Sequence, residues 1–355
     1  MELFFGVVLG LFILVVLVVL HELGHAIVAR RNGVVVEEFG IGFPPRAWAK
    51  KLKNGVLFTL NWVPLGGFVK LQGEHDSARK KGDYGRATFW QKTKILLAGV
   101  TMNWLTAALL LTILAWTGLP QIIPGQFTVA GDTRITSQPV EIGLVTKDSP
   151  AEKAGLKTGD KLIKFAGKSV DEPGDLTAAT KENKGKTVEI VYSRDSTQQT
   201  TTATLRSDNT DGQGYLGVGS GQRSAIHATW SAPIVGVGTT VQLTAFTFSQ
   251  LGQTLSNLAT GVVAQFSSDA EVKKAGNEDI ETAKNSVSGP VGILGVIFPQ
   301  ASQAGPTTLI LLTAVISLGL AIMNVLPIPA LDGGRWFTMA IFRLLRKPLT
   351  KAREE

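Results

Sequence analysis

The N-terminal part of the chain joins an apolar helix to a metal-binding motif. Residues 3–20 carry no charge, and 18 such residues are enough to begin spanning a bilayer as an α-helix. The run continues without a break into HELGH at positions 21–25. Because side chains four residues apart share a helix face, His21 and His25 can bind one Zn²⁺, and Glu22 can take a proton from a zinc-bound water. The pattern predicts a first membrane helix over residues 1–29 with a zinc site at its end.

The charge distribution predicts how this helix is oriented. The chain has a formal net charge of +7, and residues 30–94 alone hold 13 Lys and Arg against five Asp and Glu. Short basic loops stay on the cytoplasmic side of membranes, so residues 30–94 are expected to be cytoplasmic and the N-terminus to lie outside. Because the basic residues flank apolar helices, they indicate a lipid bilayer as the partner and argue against nucleic acid.

The sequence lacks two features, a signal-peptide cleavage pattern and cysteine. No Lys or Arg precedes the apolar run and no A-x-A site follows it, so the first helix is expected to remain uncleaved. The chain has no cysteine, which excludes disulfides and thiolate ligands. A metal must therefore be bound by His, Asp or Glu.

Further apolar stretches predict a protein with several membrane helices. Residues 95–118 and 305–334 read as the second and third helices, and 335–355 as a basic cytoplasmic tail on the side of the HELGH motif. Asn103, inside the second helix, could reach the metal site, although an interhelical hydrogen bond is the favoured interpretation. Residues 228–265 are uncharged but rich in Thr, Ser and Gln. They could span the membrane, and we favour an amphipathic helix lying in the interface.

The basic loop contains a predicted β-hairpin. Residues 34–39 and 55–71 have the β-branched and aromatic composition of short strands, punctuated by Pro64 and two glycines. The second stretch is very apolar for an ordinary cytoplasmic hairpin. A hairpin that dips toward the membrane, with an edge able to pair with an extended peptide, would explain this composition.

Residues 126–207 change character and predict a domain on the outer side. The sequence SPAEKAGLKTGDKLIKFAGKSV at 149–170 predicts a short helix, a turn and a strand at 161–165. This resembles a circularly permuted bacterial PDZ domain, a family that binds extended peptides by strand addition. The resemblance places the peptide-binding loop at 141–145, with Ile142, Gly143 and Leu144. A PDZ domain that only filters substrates by size is an equally open alternative.

The end of the third apolar stretch carries the second candidate motif, NVLPIPALDGG at 324–334. Pro327 and Pro329 break the helix and expose backbone groups that only a polar or functional site tolerates. An aspartate at such depth is costly unless it binds a cation, so Asp332 is the expected third ligand beside His21 and His25.

Together, HELGH after an apolar run, a GPVGI turn at 289–293, one PDZ-like domain and NVLPIPALDGG resemble the site-2 protease family of intramembrane zinc metalloproteases. The resemblance is greatest to the bacterial branch that cleaves membrane-anchored anti-sigma factors. It implies a polytopic α-helical membrane protein with a membrane-associated β-hairpin and an inserted PDZ-like α+β domain. The residues it implies are the Zn²⁺ ligands His21, His25 and Asp332, the catalytic Glu22, and the substrate-binding residues Asn324, Gly66, Gly67 and Phe68.

The sequence departs from the family in one respect. About three membrane helices are seen, whereas the family normally has a fourth after LDGG. We expect either that the sequence is truncated there or that this helix is absent.

The expected substrate is a single-span membrane helix in a bacterial plasma membrane. Two alternatives stay open: a non-catalytic membrane adaptor whose PDZ domain binds peptides, and a membrane-anchored zinc protease for soluble proteins. His75 and His227 lie in polar segments and are predicted to be solvated, without a role in the site.

Overall fold

A computed structural model describes residues 2–209, 214–267, 273–278, 281, 292–347 and 349. It divides into two compact units, residues 1–117 with 229–355, and residues 118–228. We refer to these as the membrane unit and, from the resemblance noted above, the PDZ unit. The GPVGI turn lies mostly outside the described residues, as does most of the predicted tail beyond Lys347.

Three helices among the described residues are long and apolar enough to cross a bilayer. They are α1 (Glu2–Arg31), α2 (Phe89–Thr117) and, numbered in chain order, α7 (Pro306–Val325). The second helix begins earlier than the sequence suggested, because its charged first turns are held by the loop between α1 and α2. Lys92 is buried there and forms an ion pair with Asp76.

Helices α1 and α2 touch backbone to backbone. A Cβ at Gly24, in the middle of HELGH, would lie only 2.6 Å from the carbonyl oxygen of Ala98 in α2. Small residues permit such close approach between membrane helices. The face of α1 that carries His21 and His25 is therefore buried against α2.

Helix α5 (Ala232–Ala264) forms within the predicted interfacial segment 228–265. The contacts of this segment progress from the C-terminal end of α2 toward the middle of that helix. In order they are Trp116 with Thr229, Thr112 with Gly236, and Trp104 with Thr244. The first half of α5 therefore runs antiparallel along α2. Its placement in the interface stays a prediction.

The loop between α1 and α2 forms the predicted hairpin, with strands longer than expected. Strand β1 (Val36–Lys51) pairs antiparallel with β2 (Leu57–Leu71), and a 3₁₀ turn follows at Tyr84–Arg86. The apolar side chains Phe43, Trp48, Trp62 and Leu65 are exposed on this hairpin. Exposed aromatic residues beside a membrane helix end are consistent with a hairpin that meets lipid.

The chain after α5 returns to α1 before entering α7. A π-helical turn at Ile293–Ile297 leads into α6 (Phe298–Gln303). A Cβ at Gly10 would lie 2.6 Å from the Phe298 ring, so this short helix packs closely on the first half of α1.

The first part of the predicted tail at 335–355 is helical. Helix α8 spans Asp332–Leu344. A Cβ at Gly333 would lie 2.3 Å from the carbonyl oxygens of Val325 and Leu326, and one at Gly334 would lie 2.1 Å from that of Ile328. The two glycines of LDGG therefore allow α8 to fold back against the end of α7.

The PDZ unit contains two sheets and two helices. The larger sheet has the strand order β10-β5-β6-β8-β9, with β7 paired to β6, and the smaller has the order β3-β11-β4. The strands are β3 (Leu119–Pro120), β4 (Arg134–Ser137), β5 (Glu141–Val145), β6 (Lys161–Phe165), β7 (Lys168–Ser169), β8 (Thr187–Arg194), β9 (Thr197–Thr204), β10 (Val218–Gly221) and β11 (Ser224–His227); the helices are α3 (Pro150–Lys153) and α4 (Pro173–Glu182). The predicted boundary at 207 is too early, because β10 belongs to the main sheet.

A buried ion pair stabilises the PDZ unit. Asp160 is 1% exposed and accepts hydrogen bonds of 2.7 Å from Nε and Nη2 of Arg194. Burial raises the pKa of Asp160, but these bonds and one from the Lys157 backbone N–H outweigh it, so the pKa lies below its ordinary value.

We predict that Asp160→Asn lowers the melting temperature of a fragment covering residues 118–228 at pH 7. A carboxylate with a lowered folded pKa contributes stability above its unfolded pKa of about 3.9, and this contribution is lost as pH falls through the folded value. The difference between wild type and variant should therefore shrink below about pH 4. Circular dichroism melts measure it, and equal melting temperatures at pH 7 would contradict the prediction.

Candidate metal centre

Two histidines of α1 and one aspartate of α8 meet in the membrane unit. Nε2 of His21 lies 3.1 Å from Nε2 of His25, and Oδ2 of Asp332 lies 3.0 and 3.1 Å from these two atoms. Among the described residues, these three form the one group of metal-ligating side chains whose atoms converge in this way. The structure thus brings together residues that are 311 positions apart in the sequence.

The triangle of ligand atoms has the dimensions of a zinc site. Tetrahedral bonds of about 2.05 Å from zinc to nitrogen or oxygen imply about 3.3 Å between ligand atoms. The separations of 3.0–3.1 Å are within a few tenths of an ångström of that value. Both histidines are buried and Asp332 is partly buried. The residues present therefore fit a zinc ion with a fourth position left for water or substrate.

Helix α2 supplies the wall behind the histidines. Nδ1 of His25 lies 2.7 Å from the Ile95 carbonyl oxygen, so Nδ1–H donates to it and Nε2 is left with a free lone pair. A Cβ at Gly99 would lie 2.4 Å from Nε2 of His25 and 2.5 Å from Nε2 of His21. Only glycine leaves room for both rings at this position. The sequence analysis missed Gly99, although a lone glycine in a bulky apolar helix is a signal of close approach.

Glu22 points toward the hairpin. The backbone N–H of Val69 donates a hydrogen bond to its carboxylate. A Cβ at Gly67 would lie 3.8 Å from Cγ of Glu22 and 3.7 Å from Cγ2 of Val19. The segment of β2 that follows Leu65 therefore runs beside the end of α1, next to the metal ligands.

The other predicted hairpin residues have packing contacts within the same segment. Gly66 has a φ of 80° and lies beside the Phe43 ring, and Phe68 packs over Gly40, where a Cβ would come within 2.3 Å of its ring. Gly67 pairs with Ile41 and Phe68 pairs with Gly40 in the hairpin register. These residues shape the strand beside Glu22.

Asn324 lies at the last turn of α7. Its side-chain Nδ2 donates to the Leu320 carbonyl oxygen at 2.9 Å, within its own helix. A role for Asn324 in binding substrate stays a prediction.

Contacts with the loop between α1 and α2 hold the start of α8 in place. Arg335, one turn after Asp332, donates to the Glu74 carbonyl oxygen and lies 4.8 Å above the Tyr84 ring. Nε1 of Trp336 donates to Oγ1 of Thr93 at 3.0 Å. These contacts tie α8 to the loop and to the first turns of α2.

A cavity of about 570 Å³ reaches Asp332 from the loop between α1 and α2. His75 lines it together with Glu74 and Asp76, so this histidine is half-buried and not simply solvated. His227 is also half-buried, beside Gly118, where a Cβ would lie 3.0 Å from its ring. Neither histidine belongs to the metal cluster.

The predicted peptide-binding residues Ile142, Gly143 and Leu144 lie in β5. This strand pairs with β10 along one side and with β6 at Glu141 on the other. Ile142 is fully buried in the core of the unit, whereas Leu144 is exposed. Peptide binding by these residues stays a prediction. Strand β10 lies at one end of the sheet.

Comparisons with known proteins show similarity over most of the chain. A model of peptidase family M50 matches residues 9–355. Similar proteins include a putative zinc metalloprotease of Mesorhizobium japonicum (28% identity, 96% of this chain and 90% of the relative) and the regulator of sigma-W protease RasP of Bacillus subtilis (26%, 95% and 90%). The zinc metalloprotease Rip1 of Mycobacterium tuberculosis is 30% identical over 98% of this chain and 88% of its own.

One similar solved structure is the PDZ domain of an SdrC-like protein of Listeria monocytogenes. It is 21% identical, covers 26% of this chain and 93% of its own, and has a TM-score of 0.21.

We predict that Gly99→Ala removes most of the bound zinc, because the added methyl group would occupy the space of the two ligand nitrogens. Gly319→Ala in α7 is the matched control, since a Cβ there meets no atom within 4 Å. Zinc per chain is measured by elemental analysis of detergent-purified protein. About one zinc per chain is expected for wild type and for the control. Full zinc content in Gly99→Ala would contradict the prediction.

Proposed function

The chain belongs to peptidase family M50, the site-2 protease family, and from this premise we propose that it cleaves single-span membrane helices at a zinc centre formed by His21, His25 and Asp332. As members of this family, the chain and its relatives are zinc metalloproteases with membrane helices. The observation that carries the proposal is the ligand triangle at the end of a membrane helix, with a β-strand beside it.

The depth of the site supports a membrane-helix substrate. His21 lies 19 residues after the start of α1, about 28 Å along the helix at 1.5 Å per residue. With the orientation predicted from the charge distribution, the ligands would lie near the cytoplasmic end of the bilayer. Apolar side chains of α1 on either side of the motif, such as Val16 and Ile27, are more than a third exposed and would face lipid or substrate.

The chain's own residues have defined roles in this proposal. A zinc ion bound by the three ligands would polarise the scissile carbonyl and make a bound water more acidic. Glu22 takes the proton of the attacking water and gives it to the leaving amine. The hydrogen bond from Val69 N–H holds the Glu22 carboxylate in place for both transfers.

The hairpin provides a partner for an unwound substrate. The scissile carbonyl of a helix is engaged in an i to i−4 hydrogen bond, so the substrate must unwind locally before attack. In a water-poor site the freed backbone groups need new partners. The segment of β2 from Gly66 to Val69 lies beside Glu22 and is placed to pair with an extended substrate strand.

We place the natural substrate among membrane-anchored regulators such as anti-sigma factors in a bacterial plasma membrane. The similarity over 95% of the chain to RasP, the regulator of sigma-W protease of Bacillus subtilis, supports this substrate class. For the PDZ unit we propose strand addition at β10, which follows the turn at Gly217. A unit that acts only as a size filter would show no saturable peptide binding.

We predict that Glu22→Gln keeps zinc and lowers cleavage of a single-span helix in proteoliposomes by at least about 100-fold, because only the proton transfer is lost. Asp332→Ala should lose both zinc and cleavage. Zinc content and cleavage are measured on the same preparations. Cleavage by Glu22→Gln at the wild-type rate would refute the catalytic role.

A second prediction concerns the substrate class. The same target segment is offered as a membrane helix and within the loop of a folded water-soluble protein. Cleavage is expected only for the membrane helix, because the ligand triangle lies at membrane depth. Equal cleavage of both would favour a membrane-anchored protease of soluble proteins, and zinc binding without any cleavage would favour an adaptor.

A further inference from the structure

The middle of α2 holds a buried amide beside a metal ligand. Asn103 is 1% exposed, and its Nδ2 lies 3.4 Å from Nδ1 of His21. Its side-chain Oδ1 is buried and has no hydrogen-bond partner. Buried amide oxygens are rarely left without a donor, least of all in a membrane helix. We therefore expect that a hydrogen-bond donor reaches this unpaired oxygen in the functional protein.

The protonation of His21 supplies that donor. If Nε2 binds a metal, the neutral ring carries its proton on Nδ1, which is then a donor. Nδ1–H and the Nδ2 amide hydrogens would face each other as two donors. Rotation of the amide by half a turn about Cβ–Cγ exchanges Nδ2 with Oδ1. The orphaned oxygen then takes the position 3.4 Å from Nδ1 of His21 and accepts its proton.

We propose that Asn103 is a positioning residue that accepts the Nδ1–H proton of His21 through Oδ1 and so keeps Nε2 of His21 directed at the metal. The proposal rests on the zinc centre of the proposed function. It assigns no contact between Asn103 and the reacting atoms. Its effect passes through the orientation and tautomer of one ligand.

The same helix already does this for the other histidine. Nδ1 of His25 donates to the Ile95 carbonyl oxygen at 2.7 Å. Ile95 and Asn103 are eight residues apart, about two helical turns, so they lie on one face of α2 with Gly99 between them. This face would then carry one acceptor for each imidazole and, between the acceptors, the gap in which the rings sit.

A second contact fixes the position of Asn103 along α2 relative to α7. Its backbone carbonyl accepts a hydrogen bond of 2.8 Å from Oγ of Ser317 in α7, and both residues are buried. This bond links α2 to α7 without using the side-chain amide. It therefore provides a control that disturbs helix packing at the same level but leaves the acceptor for His21 intact.

The test is a zinc competition titration with a chromophoric chelator on the detergent-purified full chain. Asn103→Leu keeps the approximate volume and removes the acceptor, and loss of such a ligand-orienting partner should weaken zinc binding about 10- to 100-fold. Asn103→Asp keeps an acceptor of the same shape and should bind zinc at least as tightly as wild type. Ser317→Ala should bind zinc like wild type.

A spectroscopic measurement reads the tautomer directly. In the zinc-loaded wild type, ¹⁵N NMR of labelled histidine should show His21 protonated at Nδ1 and metal-bound at Nε2. The signal is assigned by its absence in His21→Ala. This readout does not depend on activity or on the folding of the leucine variant.

Three results would overturn the proposal: wild-type zinc affinity in Asn103→Leu, an Asn103→Asp variant as weak as the leucine variant, or a metal-bound His21 without a proton on Nδ1. A separate result would show that the three proposed ligands do not bind zinc. In that case wild type and His21→Ala would bind zinc equally, whatever stands at position 103.

Discussion

The close approach of α1 and α2 is the contact on which the site depends. Gly24 permits α1 to meet the backbone of α2 at Ala98, and Gly99 leaves the space that two imidazole rings occupy one residue later. A Cβ at either position would separate the helices or displace the rings. Because α2 also provides the acceptor for His25, the same contact sets both the location of the histidines and the direction of at least one ligand atom.

The third ligand depends on a second tight turn. Helix α7 ends at Val325, and glycines 333 and 334 allow α8 to begin against the carbonyl oxygens of the preceding segment. Asp332 thus stands in the first turn of an amphipathic helix, where the helix dipole favours a carboxylate. Arg335 and Trp336 attach that turn to the loop between α1 and α2 and to α2 itself. The two glycines of the motif are therefore explained by close backbone contacts, independently of the metal.

The sequence predicted what local patterns encode and failed where distant contacts decide. Uniformly apolar runs and the spacing of His21 and His25 predicted the membrane helices and the ligand pair. The lengthwise packing of α5 on α2 was not predicted because the threonines of α5 read as polar, yet Thr240, Thr244 and Thr247 each donate to a carbonyl oxygen four residues earlier. Their hydroxyls are satisfied within the helix, so it can pack lengthwise on α2. Strand β10 was missed because its pairing with β5 joins segments more than 70 residues apart.

The metal centre also bears on how the membrane unit is held together. Two imidazoles and a carboxylate, contributed by opposite ends of the chain, lie within 3.1 Å of one another in a mostly apolar setting. A carboxylate at that depth is costly unless a cation compensates it. A zinc ion would compensate the charge of this carboxylate and link α1 to α8. Because the three ligands meet only in the folded chain, the free energy of zinc binding would add to the free energy of folding. The HELGH and LDGG motifs would then define both the chemistry of the protein and the closure of its helices around it.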